Sequence, residues 1–159
     1  MTALLTMISR LLLAALVALP LGPYDIKLLN TPKTPTAKGT ARLVFAPSPF
    51  GVTVTADGRS SYDVQLSLTG LPEPSTLGSY KAYVAWAATT DLSKWHRLGP
   101  VTNGSSTVGQ VELNKFMLVI TAESDSSATE HKGPTALHGI SPSGWLQSLI
   151  THPLFRGVQ

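Results

Sequence analysis

Residues 80–101 read YKAYVAWAATTDLSKWHRLGPV, and the first half of this stretch decides the fold. In an extended strand, Val84 and Trp86 would point to one side, while Tyr83 and Ala85 would point to the other. Both sides are apolar, which is typical of a central strand that is covered on both faces. Trp86 is therefore predicted to be a core residue between two layers, a position that its apolar area favours provided that the indole N–H finds a partner.

The second half of the stretch places a tryptophan beside a histidine. After the polar break TTDLSK, Trp95 and His96 open a short predicted strand, WHRLG. Because neighbouring residues of a strand face opposite sides, His96 is predicted to lie at the rim rather than to bind a ligand. The whole stretch thus predicts a buried strand and its neighbour, not the wall of an active site.

The rest of the chain shows the same alternation in short runs. It is complete in SYDVQLSLTG, residues 61–70, where four apolar side chains alternate with polar ones. Gly109 is predicted to mark a β-bulge, and Asn114-Lys115 to form the turn of a two-residue hairpin. Further predicted strands are ARLVFA (41–46), FGVTVTA (50–56), TVGQVEL (107–113), FMLVITAE (116–123) and PTALHGI (134–140). We therefore expect an all-β fold: an immunoglobulin-like antiparallel β-sandwich of about seven or eight strands.

The composition excludes several classes of function. The 159 residues include 13 glycines and 12 prolines, only 13% are charged, and this suits a turn-rich β protein. The formal charge is +3, but the basic residues are scattered, so a nucleic-acid partner is not expected. The chain has no cysteine, which excludes disulfides, thiolate metal sites and cysteine nucleophiles.

The N-terminus indicates export. Residues 1–22 hold an apolar run after Arg10 and are predicted to be a signal peptide or, if uncleaved, a membrane anchor. Residues 23–40, which include NTPKTPTAKGT, are predicted to be a Pro/Thr/Lys tether. Residues 41–159 then form the β-sandwich domain, which ends in a short helix over SPSGWLQSLITHP. The expected location is periplasmic or extracellular, with the membrane as a partner only through an uncleaved N-terminal segment.

Five short motifs carry a family resemblance. In order, YVAW (83–86), LG (98–99), VEL (111–113), LVITAE (118–123) and GPTALHG (133–139) resemble the extracytoplasmic C-terminal domain of the RskA-type anti-sigma factors. The resemblance implies an immunoglobulin-like sandwich outside the membrane. It does not imply sigma-factor binding, because the sigma-binding segment of that family has no counterpart here. A fainter likeness is to modules that accompany extracytoplasmic multicopper oxidases.

Motifs for catalysis are missing from the sequence. There is no G-x-S-x-G elbow, no P-loop and no G-x-G-x-x-G, so no enzyme activity and no cofactor are expected. Three histidines, His131, His138 and His152, lie in the last 30 residues. His138 and His152 are the pair that would bind a metal if any pair does, with Met117 as a soft ligand for copper.

We therefore expect an exported, non-catalytic binding or structural module at the cell envelope that engages another protein. The alternative is a copper- or other metal-handling accessory domain of an extracytoplasmic oxidase system.

Overall fold

The fold is all-β, as predicted. The computed structural model describes residues 22, 24–47, 61–113 and 115–142, and within them no helix is long and apolar enough to cross a membrane. The predicted N-terminal helix and all but the first two residues of the predicted C-terminal helix lie outside the described residues. A short 3-10 helix covers Pro74–Leu77. The strands are β1 (Asp25–Asn30), β2 (Lys38–Phe45), β3 (Tyr62–Thr69), β4 (Ala82–Ala88), β5 (Trp95–Val101), β6 (Gly104–Val111), β7 (Met117–Glu123) and β8 (Thr135–Ile140).

The eight strands form one antiparallel sheet in the order β5-β4-β7-β8-β1-β2-β3-β6. Strand β1 joins two halves of the sheet, because its first residues pair with β2 and its last two, Leu29 and Asn30, pair with β8. The predicted strand FGVTVTA (50–56) falls between β2 and β3 and lies outside the described residues, and the immunoglobulin-like sandwich stays a prediction.

The interior is filled by the alternating side chains that the sequence shows. Val64, Leu66 and Leu68 of β3 are at most 2% exposed, which confirms the predicted strand and its buried face. They belong to one cluster with Leu118 and Ile120 of β7. The sheet therefore curls around a single apolar interior, and burial of this cluster is its main source of stability.

Two β-bulges bring the ends of the sheet together. The β4–β5 register skips Leu98, and the β3–β6 register skips Gly109, which confirms the predicted bulge. A Cβ on Gly109 would lie 2.8 Å from the carbonyl oxygen of Leu98. The two terminal strands, β5 and β6, therefore meet at this point because residue 109 has no side chain.

The predicted tether is part of the sheet, so that prediction was wrong. Residues 25–30 form β1, and β2 begins at Lys38. Ile26 and Leu28 are buried, and the side chain of Thr34 donates a 2.6 Å hydrogen bond to the carbonyl oxygen of Ala136. The two prolines only shape the connection between β1 and β2, and the apolar alternation in residues 25–28 was too short to stand out.

The predicted hairpin between TVGQVEL and FMLVITAE is also wrong. Strand β6 pairs with β3, whereas β7 pairs with β4 and β8. All but the first residue of β7 are buried, so this strand needs neighbours on both edges and cover on both faces. Such a strand takes a central place in the sheet, and the chain crosses over between β6 and β7 to reach it.

Candidate functional site

Trp86 is buried as predicted, but it lies on the outer face of β4 and not in the interior of the curled sheet. Its side chain is 1% exposed. The interior cluster contains Tyr83, Ala85 and Ala87 of β4 and not Trp86. The indole N–H donates a 2.8 Å hydrogen bond to the hydroxyl of Thr121 on β7, which in turn donates to the carboxylate of Glu123. The indole N–H thus has the partner that its burial requires, on the outer face of the sheet.

Glu123 ties the following loop to this outer face. Glu123 is 2% exposed, and its carboxylate accepts hydrogen bonds from the backbone N–H groups of Lys132 and Gly133 at 3.2 and 3.3 Å. A buried charge is tolerated only when it is paired or well hydrogen-bonded, and these donors meet that need. The carboxylate therefore holds the end of the β7–β8 loop, residues 124–134, against the sheet.

Arg97 on β5 holds the middle of the same loop. Its guanidinium donates to the carbonyl oxygens of Ala128 and Ser126, at 2.9 and 2.5 Å. Within the loop, the hydroxyl and the amide of Ser127 lower the pKa of Asp125, in that order of importance. The loop is thus anchored at two points and covers Trp86.

The loop also presents a histidine to the second tryptophan of the opening stretch. The rings of Trp95 and His131 stack with centroids 3.6 Å apart and an interplanar angle of 13°. Trp86 meets the same imidazole edge-on at 6.1 Å. The indole N–H of Trp95 also donates a hydrogen bond to the carbonyl oxygen of Leu92 at 3.0 Å. The Trp95 ring is therefore held on one face by the stack with His131 and at its edge by this hydrogen bond.

The turn before Trp95 is held by a carboxylate. Asp91 accepts hydrogen bonds from the hydroxyls of Thr89 and Ser93 and from the amide of Ser93. These bonds lower the pKa of Asp91 to about 2, and the bond from the hydroxyl of Thr89 contributes most to this shift. These bonds close the turn, and Lys94 and Trp95, which follow it, line the gap between β5 and β6.

That gap is a groove of about 620 Å³. Ala87 and Val111 in its lining are buried, while the four charged or polar side chains of the lining are exposed. The groove combines an apolar floor, an aromatic wall and a polar rim, which is the usual make-up of a recognition site. Its lining consists of Ala87, Lys94, Trp95, His96, Gln110, Val111, Glu112 and Leu113.

The groove exists because the sheet does not close completely. Strands β5 and β6 touch at Leu98 and Gly109 and have no ladder of backbone hydrogen bonds to each other. A terminal strand presents a row of backbone N–H and C=O groups that no neighbouring strand pairs. His96 was predicted to be a rim residue and does line the rim, but no local pattern showed that Gln110 and Glu112 would face it.

The predicted metal pair is not brought together within the described residues. His138 is a half-buried residue of β8, opposite Leu29 and Val119, and His152 lies outside the described residues. In the part of the chain that the structure describes, no three histidine, aspartate or glutamate side chains form a group suited to a metal ion. The pair stays a prediction, which titration of Cu(I), Cu(II) and Zn(II) into the parent, His138→Ala and His152→Ala proteins would test.

The fold and the groove define a class of protein: an all-β domain whose sheet is nearly closed and opens at its two terminal strands. No family model, no curated protein and no solved structure matches the chain. The resemblance to the RskA-type anti-sigma factor domain therefore stays a prediction.

Proposed function

We propose that the chain is a non-catalytic binding module that engages another protein by receiving an extended segment of it in the groove between β5 and β6. One observation carries this proposal. The two terminal strands of the sheet face each other across the groove without pairing. Among the described residues no strand pairs with the edges of β5 and β6 that face the groove, and exposed sheet edges of this kind bind extended peptides as an added strand.

The side chains of the groove suit a protein segment. Tryptophan is enriched among the residues that dominate the binding energy of protein interfaces, and Trp95 borders the groove. Its ring is held by the stack on His131 and by its N–H bond, so little conformational freedom is lost on binding. Lys94 and Glu112 give the rim one charge of each sign, which favours a segment without a strong net charge.

The proposed place of action is outside the cytoplasm. This part of the proposal is supported by the apolar run in residues 1–22, which is typical of a signal peptide or anchor. Sequencing the N-terminus of the mature protein tests it. A start after residue 22 would support a cleaved signal, and an intact Met1 on a membrane-bound protein would support an anchor. An intact Met1 on a cytosolic protein would contradict export.

A displayed library of random peptides tests the binding mode. We expect enriched peptides to slow amide hydrogen exchange in β5 and β6 when they bind. Gln110→Trp puts a large side chain into the groove and should abolish binding. Gln65→Trp makes the same substitution at an exposed position of β3 and should leave binding unchanged.

Two results would refute the groove as the binding site. One is that the selected peptides bind the Gln110→Trp protein as tightly as the parent protein. The other is that selection on the parent protein enriches no peptide more strongly than selection on the Gln110→Trp protein does. Circular dichroism spectra of both variants should match the parent, which shows that the fold is intact.

A further inference from the structure

The hairpin of β1 and β2 carries all of the net charge of the chain. Residues 24–47 contain four basic residues, Lys27, Lys33, Lys38 and Arg42, and one acidic residue, Asp25, a net charge of 4 − 1 = +3. The whole chain has 12 − 9 = +3, so the remaining eight basic and eight acidic residues cancel. The basic residues look scattered along the sequence, but pairing of β1 with β2 gathers four of them on one hairpin.

One of these four charges is already paired. The Nε of Arg42 lies 2.8 Å from Oδ1 of Asp25, and its Nη2 lies 3.2 Å from Oδ2. The hydrogen bond from Arg42 is the main cause of the lowered pKa of Asp25. None of the salt bridges between described residues involves the three lysines of the hairpin.

Two of these lysines lie in register with hydroxyl side chains. Lys27 pairs with Thr40, and Thr40 pairs with Ser67, so the three form one row across β1, β2 and β3. Lys38 and Thr69 form the next row on the same side of the sheet. Successive side chains on one side of a strand are about 7 Å apart, so the two rows are close enough to contact neighbouring units of one polymer.

These five residues, which we call the lysine–hydroxyl face, border one groove. The groove measures about 740 Å³, and none of the residues that line it, all of them described by the structure, carries a carboxylate. The five side chains are exposed. The face thus offers two positive charges and three hydroxyl groups, with no acidic group in the lining.

We propose that the lysine–hydroxyl face binds an acidic polysaccharide. Ammonium groups bind sulfate or carboxylate groups, and the hydroxyls between them exchange hydrogen bonds with sugar hydroxyls. The lining has no aromatic side chain on which a nucleic-acid base could stack. It is also poor in the apolar anchors with which surface segments enter a lipid bilayer, since its one exposed apolar side chain is Leu29. This site is separate from the β5–β6 groove, and its test does not depend on that groove.

Binding of a fluorescently labelled, heparin-derived oligosaccharide to the full chain tests the proposal. We expect binding that weakens as NaCl rises from about 50 mM to about 300 mM, because salt screens exposed charges. Lys27→Glu and Lys38→Glu should each weaken binding by up to about 5-fold, and the double variant should weaken it further. Lys115→Glu makes the same charge change at an exposed site outside the face and should have no comparable effect.

A neutral substitution separates a specific site from general attraction. Thr40→Val keeps the charge and the strand preference but removes one hydroxyl, and should weaken binding by about 2- to 5-fold. Thr107→Val, at an exposed position of β6, should not. The proposal is overturned if Lys115→Glu weakens binding as much as Lys38→Glu, or if no oligosaccharide binds. Tighter binding of phosphatidylglycerol vesicles or of a DNA duplex through the same two lysines would also overturn it, since the partner would then be a lipid surface or a nucleic acid.

Discussion

Thr121→Val is the sharpest test of the hydrogen-bonded chain beneath the β7–β8 loop. The hydroxyl of Thr121 accepts from the indole of Trp86 and donates to the carboxylate of Glu123. Valine has nearly the same shape and a high preference for strands, so the substitution removes hydrogen bonds without opening a cavity. Any loss of stability then reports on these bonds.

The expected loss follows from the groups left without partners. The N–H of Trp86 becomes a buried donor with no acceptor, which costs about 1–3 kcal/mol. Glu123 loses one of its donors but keeps the amides of Lys132 and Gly133, which adds about 1 kcal/mol. We therefore expect the free energy of unfolding to fall by about 2–4 kcal/mol. This is a large part of the 5–15 kcal/mol typical of a domain.

Urea unfolding followed by circular dichroism measures this loss. With a slope of about 2 kcal/mol per M, the midpoint should fall by about 1–2 M. Thr107→Val, which is exposed on β6, should change the free energy of unfolding by less than about 0.5 kcal/mol. Replacing both partners in Trp86→Phe/Thr121→Val should cost less than the sum of the single changes, with a coupling of about 1–2 kcal/mol. If Thr121→Val costs no more than Thr107→Val, the chain from Trp86 to Glu123 does not stabilise the fold.

Three more predictions concern the turn and the loop. An NMR titration of Asp91 should show a midpoint near pH 2. Because this pKa is below the unfolded value, the stabilisation is present above about pH 4 and is lost as the pH falls through 2. Thr89→Val should move the midpoint toward 3.8, and a midpoint of 3.8 in the parent would contradict the structure. Gly133→Ala should lower the free energy of unfolding by about 2–3 kcal/mol in urea, because the methyl group would overlap the carbonyl oxygen of Ala122; an unchanged midpoint would show that the loop is not tightly seated. Arg97→Met should speed tryptic cleavage after Lys132 because the loop loses its central anchor, and equal cleavage rates would refute that role.

The sequence predicted a strand correctly where apolar and polar side chains alternate clearly along the described chain. The run from Tyr62 to Thr69 alternates without a break, and the structure buries its apolar side. Gly109 could be assigned to a bulge because an isolated glycine in a strand usually has a structural reason. Strand β1 was missed because its buried residues are only two, Ile26 and Leu28, and prolines follow closely.

The candidate site was much less accessible to sequence reasoning. Trp86 was correctly predicted to be buried, yet its face of β4 could not be predicted, because both faces of that strand are apolar. The loop residue His131 has no local pattern that links it to Trp95. The stack between them depends on Glu123 and Arg97, which hold the loop in place from two different strands.

The sequence by itself determined that the fold is all-β and, apart from β1, where the described strands lie, because alternation of apolar and polar side chains is a local property of the chain. Only the tertiary structure decided which strands are neighbours. That choice puts β5 and β6 at the two ends of the sheet that the described residues form, beside a groove. It also gathers Lys27 and Lys38 on one face. The physical reason is that strand pairing and loop anchoring depend on contacts between residues far apart in the chain, and no local pattern encodes them.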